Sequence, residues 1–504
     1  MKRFWALASK KQTTIGSAAG VLALMVLVSR VLGLVRDRLL SSYFAPEELG
    51  VYFAAFRIPN VIFELLVMGA LTAAFIPVYT KYLADNRERD AERLATVLIN
   101  LSVIILAIVA IPLFIAAPAI SRLLAPGFDE AQIAQMSAYT RFILLFQVGP
   151  LLIGNVLTGI LQSHSLFLVP AAAPVFYNVG IIIGTVALSS LWGLWGPIVG
   201  VAIGALLFAL IQIPLVIRLG YRHTLDIDPK LPGVKEVGRL MGPRTLGLAV
   251  AQIDITVDLM LASLLGARMV TIFNFAQHLQ QLPVGLFGTT IAQAALPSLS
   301  QFAAKDKKEE FIATIHAAIH QILFWVLPAS VLFMVLRIPV VRLVFGASRF
   351  DWAATVDTGM TLSAFSVSLF AQALIHILAR GFYALYDSKT PVSVGVVTVI
   401  LNSVLSTLFI LVFHLPVWSL GLSTSIASII NAGALLYFLN KKMNGVISPV
   451  LIIPAIKMGV AAVVTGAALY VPLKLLDQLV FDTTRTFGLL FLTGVSAGLG
   501  IMTY

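Results

Sequence analysis

The residues of this chain with chemistry to offer are mostly arginines and carboxylates standing inside apolar runs. Ser29 to Arg38 reads S-R-V-L-G-L-V-R-D-R within a run that begins near Ile15. An arginine at bilayer depth costs roughly 3 kcal/mol or more. It is kept only where it faces a wet cavity, is paired, or holds a charged ligand. Arg30 and Asp37 are seven residues apart and fall nearly on one helical stripe, with Arg36 about 9 Å further along the axis than Arg30. Gly33, one turn from Arg30, leaves room beside its guanidinium or lets the helix bend. Arg57 precedes Ile58-Pro59-Asn60, where proline frees a backbone carbonyl, and a cation beside a broken helix is a usual substrate-site construction. Asp37 and Glu64 cannot neutralise Arg30, Arg36, Arg38, Arg57 and Arg141 together. Surplus guanidinium suits an anion, phosphate in particular. The competing reading has Arg36, Asp37 and Arg38 marking the outer end of the span by snorkelling to headgroups. Arg38 is read that way; Arg30 and Arg36 are read as cavity residues, and Arg57 as a substrate cation or a cap on kink carbonyls.

The later part of the chain is acidic instead. Asp254 and Asp258 lie one turn apart on a common face. With an amide such as Asn402 nearby they suit a small hard cation or a proton; pairing with Arg268 or His278 is the alternative. His278 precedes Leu282-Pro283 much as Arg57 precedes its own proline, and is either a group titrating near neutral pH or a neutral hydrogen-bonding core residue. His316 and His320 have a metal-compatible spacing but lack a third ligand or an HExxH pattern, so they are expected to be ordinary helix residues. Cysteine is absent, which excludes thiol chemistry and disulfides. No phosphate-binding loop, nucleotide fingerprint or nucleophile elbow appears, so the chain is expected not to be an enzyme and to need no cofactor.

The elements that must position these residues are membrane helices. Of 504 residues, 59% are hydrophobic and 11% charged, with mean hydropathy +0.97. An all-α polytopic membrane protein follows. Windows of apolar residues give about fourteen spans, near 15–43, 49–76, 93–117, 135–162, 168–190, 195–218, 239–265, 269–299, 311–336, 355–386, 390–413, 417–440, 450–474 and 485–503. Met1 to Gln12 resembles a signal n-region, but the span behind it is long and charged, so an uncleaved first helix is expected. The net charge of +11 sits in short loops, which is a topology signal and not a nucleic-acid patch. Lys81, Arg87, Arg89, Arg93, Arg222, Lys230, Lys305 and Lys307 fall in alternate loops, placing both termini in the cytoplasm.

A displacement of 221 residues puts Asp37 on Asp258, Ser42 on Ser263, Ala55 on Ala276 and Arg57 on His278. Six spans separate the units, so the repeat is parallel, as in transporters whose two bundles rock about a central site. The expected organisation is a first lobe at 1–219 (spans one to six), an inter-lobe loop at 220–238, a second lobe at 239–440 (spans seven to twelve) and two accessory spans at 441–504.

S-R-V-L-G-L-V-R-D (29–37), F-R-I-P-N (56–60), G-A-L-T-A-A-F-I-P-V (69–78), P-V-G-L-F-G…L-P-S-L-S (283–300) and R-G-F-Y-A-L-Y-D-S-K-T-P (380–391) together resemble the MurJ (MviN) family. Its members are lipid II flippases of the multidrug/oligosaccharidyl-lipid/polysaccharide exporter superfamily. The resemblance implies two six-helix lobes around a cavity, with a lipid-tail groove on the last two helices. It implies movement of undecaprenyl-pyrophosphate-linked disaccharide-pentapeptide across the bacterial cytoplasmic membrane for peptidoglycan synthesis. By the family pattern Arg30 and Arg36 match essential arginines, and Arg57 matches a basic residue. Asp258 and Asn402 match parts of a sodium site. Coupling to Na+, H+ or the membrane potential is expected; a monomer is the default expectation for the oligomeric state, with cell-wall synthesis proteins as expected partners. The chain departs from the pattern at Phe63, Glu64 and Met68, where the family shows an arginine pair and then an acid, and at His278, where it shows an arginine. Two rivals stand beside this reading: an exporter of another polyprenyl-linked glycan or an organic cation, and a non-transporting envelope scaffold.

Overall fold

The computed structural model describes residues 15–479 and 486–504, and all regular structure among them is helical. The expected n-region, Met1 to Gln12, and the join between the last two spans lie outside the described residues. The chain divides into two compact units, Met1–Ala267 and Arg268–Tyr504.

The first unit contains α1 (Ile15–Tyr43), α2 (Pro46–Ala55), α3 (Arg57–Phe63), a π-helical segment (Glu64–Leu71), α4 (Thr72–Ala84), α5 (Glu88–Ile115), α6 (Ala117–Leu124), α7 (Glu130–Phe146), α8 (Val148–Ser163), α9 (Leu168–Trp192), α10 (Trp195–Leu210), α11 (Ile213–Arg218) and α12 (Pro232–Leu264). Local chemistry accounts for several of the boundaries. Asp129 caps α7, accepting from the Gln132 amide at 2.8 Å, while Gln132 Oε1 accepts from the Asp129 amide at 3.1 Å. This reciprocal pair satisfies donors that the first turn leaves orphaned. Pro118 has no N–H to offer the Phe114 carbonyl, which instead accepts from Arg141 Nε at 2.8 Å. Arg141, read from sequence as part of the cation surplus, is a cap on a broken helix.

Two long helices of this unit meet without side chains between them. A Cβ on Gly180 of α9 would stand 2.3 Å from Gly204 Cα of α10, and one on Gly184 would stand 2.4 Å from Gly200 Cα. Small residues four apart let membrane helices approach to backbone contact, where dispersion replaces the hydrophobic effect that lipid cannot supply.

Packing draws the division between units one helix later than the sequence repeat does. The span expected at 239–265, placed with the second lobe, begins at Pro232 as α12 and packs on the first unit, against α4, α5, α6 and the π-helical segment. The physical reason is a run of tight contacts. A Cβ on Gly127 would lie 2.0 Å from the Ser263 carbonyl, and one on Gly233 3.0 Å from the Tyr82 hydroxyl. The 220–238 stretch is correspondingly no free linker. Arg93 of α5 pairs with Asp226 at 2.6 Å and Asp228 at 3.4 Å, and Asn100 donates to the Thr224 and Asp226 carbonyls at 2.9 and 2.8 Å.

The second unit contains α13 (Ala267–Pro283), a π-helical segment (Val284–Thr289), α14 (Thr290–Ala304), α15 (Lys308–Val335), α16 (Arg337–Phe345), α17 (Trp352–Ser366), α18 (Leu369–Ala384), α19 (Lys389–Thr407), a π-helical segment (Leu408–Val412), α20 (Trp418–Met443), α21 (Pro449–Leu479) and α22 (Thr486–Thr503). Its core joins Phe311, Ile315 and Ile322 of α15 to Ile377 and Phe382 of α18 and Leu435 and Leu439 of α20. The last two helices pack on this unit, α21 against α15 and α22 against α21 and α16.

The repeat is visible in both units. Spans two and eight each carry a π-helical segment after a proline, and the short helices α6 and α16 begin at 117 and 337, close to the displacement read from sequence. Ten stretches among the described residues are long and apolar enough to cross a membrane. They become eleven if Trp352–Ser366 and Leu369–Ala384, bent by 44°, form one span. The other long helices that the expectation of fourteen includes are α1, α12 and α22.

Candidate functional site

Arg30 lies on the exposed side of α1, a helix whose main packing partner is α9. It makes no hydrogen bond or ion pair with any described residue. Gly33 has nothing within 4 Å of where a Cβ would stand. Val26, Leu27 and Val31 around it are exposed. A permanently charged group on such a face needs water or an anion.

Arg36 is differently placed. Its Nε and Nη2 donate to Asp37 Oδ1 at 2.9 and 2.8 Å, and its Nη1 donates to Asn178 Oδ1 of α9 at 3.1 Å. Asp37 is buried and the Arg36 side chain is 20% exposed. Asn178 is itself held, donating to the Pro174 carbonyl at 3.2 Å. The guanidinium is thus neutralised and helps fasten α1 to α9.

Arg57 opens α3 at the break after Phe56. Pro59 lacks the N–H that would serve the Ala55 carbonyl, and the Thr140 hydroxyl of α7 donates to that carbonyl at 3.0 Å instead. The kink therefore needs no cap from Arg57, and its guanidinium turns to α12. Nε donates to Thr256 Oγ1 at 2.9 Å, and Nη2 donates to the Gln252 carbonyl at 2.6 Å and to Gln252 Oε1 at 2.8 Å. Arg57 is 7% exposed, while Asn60 beyond it is exposed. Glu64 begins the π-helical segment, seven residues further along the same face.

Asp258 is buried and Asp254 half-buried on α12, in the first unit; both have partners within the structure. Asn402, buried on α19, and His278, half-buried on α13, belong to the second unit. The expected sodium ligands Asp258 and Asn402 therefore sit in different units. No group of three or more His, Cys, Asp or Glu suited to a metal ion occurs among the described residues. His316 and His320 each turn a ring nitrogen to the chain that leads into α21: His316 Nε2 lies 2.7 Å from the Val446 carbonyl, and His320 Nε2 lies 3.1 Å from the Leu451 carbonyl. They anchor the start of α21.

Asn178, Gln252, Thr256 and Thr140 escaped the sequence reading. Each is a polar residue in a membrane span, and Gln252 and Thr256 are one turn apart, as Asp254 and Asp258 are. The signal was present but uncharged.

Comparison with known proteins identifies a family. A model of the family described as lipid II flippase MurJ matches residues 40–485. A Vibrio cholerae protein named probable lipid II flippase MurJ is 30% identical over 436 residues, covering 83% of this chain and 81% of that one. The lipid II flippase MurJ of Burkholderia cenocepacia is 28% identical over 436 residues, covering 84% and 83%. Among solved structures, one of lipid II flippase MurJ in an inward closed conformation superposes with TM-score 0.80 at 22% identity, covering 96% of this chain and 97% of that one. An inward-facing multidrug transporter of the MATE family superposes with TM-score 0.72 at 16% identity, covering 83% and 95%. These two likenesses show a shared fold. By the extent of the family match, the chain belongs to the lipid II flippase MurJ family.

Proposed function

We propose that this chain is a lipid II flippase, carrying undecaprenyl-pyrophosphate-linked disaccharide-pentapeptide from the inner to the outer leaflet of the bacterial cytoplasmic membrane for peptidoglycan synthesis. It acts by alternating access between its two units and carries out no covalent chemistry. The observation that carries the reading is Arg30, a guanidinium held on an exposed apolar helix face in a chain of this family. Its role is to receive the pyrophosphate, with open space at Gly33 admitting the headgroup. Arg36 and Arg57 join it as their internal partners exchange, and His278 is a further, weaker cation for the headgroup. The polyprenyl tail stays in lipid along α21 and α22. Asp258, with Asp254 and Asn402, senses the coupling Na+, H+ or membrane potential. The working unit is a monomer with fourteen spans and both termini in the cytoplasm, in contact with the cell-wall synthesis machinery.

Arg30→Ala should abolish growth complementation in a flippase-depleted strain while the protein still accumulates, and should stop lipid II movement in proteoliposomes. Full growth with that variant would overturn the role given to Arg30. Movement of a different polyprenyl-pyrophosphate glycan, with none of lipid II, would assign the chain to the superfamily's other substrates. No headgroup movement of any kind would favour a scaffold.

A further inference from the structure

We propose that Gln252 and Thr256 are positioning residues for Arg57. Their oxygens occupy the guanidinium in place of pyrophosphate oxygens until a headgroup displaces them, an inference that rests on the flippase reading above. The Nε–Nη2 edge of a guanidinium is one that binds carboxylates and phosphates bidentately. Here that edge is filled by the Thr256 hydroxyl at 2.9 Å from Nε and by the Gln252 side-chain and main-chain carbonyls at 2.8 and 2.6 Å from Nη2. The Thr256 hydroxyl is fixed in turn, donating to the Gln252 carbonyl at 2.7 Å. Three neutral oxygens thus fill the edge of Arg57 at which a phosphate would bind.

Two consequences follow from the chemistry. Hydrogen bonds from a guanidinium to an anion are roughly twice as strong as those between neutral partners, so a pyrophosphate reaching Arg57 competes well for it. All three oxygens come from α12, whereas Arg57 belongs to α3, so the exchange removes the polar tie between those helices. Headgroup binding and release of α12 from α3 are one event. Until then Gln252 and Thr256 keep a charged group, 7% exposed, from standing unsatisfied at membrane depth.

A competitor of this kind weakens apparent affinity, so removing it must strengthen binding, a direction that structural damage does not produce. The test measures binding of undecaprenyl pyrophosphate to the full chain in nanodiscs by native mass spectrometry. Gln252→Leu/Thr256→Val should bind about tenfold more tightly than the parent, the equivalent of losing one hydrogen bond to a charged group. Gln252→Glu, equal in size, places a carboxylate against Arg57 and should bind about tenfold more weakly. Thr256→Ser keeps the hydroxyl and should leave affinity unchanged. Equal or weaker binding by the double variant, or tighter binding by Gln252→Glu, overturns the positioning role while leaving the flippase reading intact. A parent protein that binds no polyprenyl pyrophosphate overturns both.

Discussion

The Arg36–Asp37 pair can be weighed by removing each charge separately and then both. Asp37 accepts two bonds from Arg36 at 2.9 and 2.8 Å, and its side chain is 2% exposed. Taking one partner from a fully buried pair costs about 3–5 kcal/mol, because the remaining charge is stranded. Arg36 is one-fifth exposed and keeps its bond to Asn178, so Asp37→Leu belongs below that range, at about 2–3 kcal/mol. For a unit of this size each kcal/mol moves the midpoint by about 2–4 °C, so thermal unfolding followed by tryptophan fluorescence in detergent should show a fall of about 5–10 °C. Arg36→Met takes two charged hydrogen bonds from the buried carboxylate and should fall comparably. The double variant Arg36→Met/Asp37→Leu strands neither charge, and replacing a buried pair by apolar residues of similar volume is often neutral or stabilising. Its loss should therefore be smaller than the two single losses together by about 2 kcal/mol. Strictly additive losses would refute the claim that these two charges stabilise α1 through each other.

Two other perturbations read different parts of the molecule. Gly180→Ala places a Cβ 2.3 Å from the Gly204 Cα, so α9 and α10 must separate; the cost is about 1–3 kcal/mol or more, read as loss of monodisperse protein in fluorescence-detected gel filtration. Asp387, in the turn before α19, is held down at about 2 by the Lys442 ammonium and the Thr390 amide. A carboxyl lowered on folding adds stability above its ordinary value near 4, and that stability is lost as pH falls towards about 2. Because Lys442 is 41% exposed, about 1 kcal/mol is at stake. Lys442→Ala should flatten the dependence of the unfolding midpoint on pH between about 4 and 2.

The helical class, the repeat and the family were legible because each rests on local composition or short motifs. Apolar windows report lipid contact directly, and a displacement that aligns Asp37 with Asp258 also aligns α6 with α16. Partners were not legible. Arg36 meets Asn178 across 142 residues, and Arg57 meets Gln252 across 195; hydrophobic period says which face of a helix is apolar but not which helix it meets. For the same reason the repeat places α12 with the second lobe, whereas glycine contacts at Gly127 and Gly233 seat it on the first unit. His316 and His320 looked like ordinary helix residues because the carbonyls they meet lie about 130 residues away. Among the arginines, sequence reads Arg30 and Arg36 alike as cavity residues and leaves Arg57 between substrate cation and kink cap; the structure separates an open Arg30 from an engaged Arg36 and Arg57.

The seating of α12 also sets a schedule for biosynthesis. Arg57 leaves the ribosome 195 residues ahead of Gln252. At 5–20 residues per second, its guanidinium waits about 10–40 s for the oxygens that will satisfy it. During that interval α2 and α3 cannot be sealed into lipid without stranding a charge. The nascent first unit must therefore stay hydrated around Arg57, or be shielded by the insertion machinery, until residue 264 has been made and α12 closes against it.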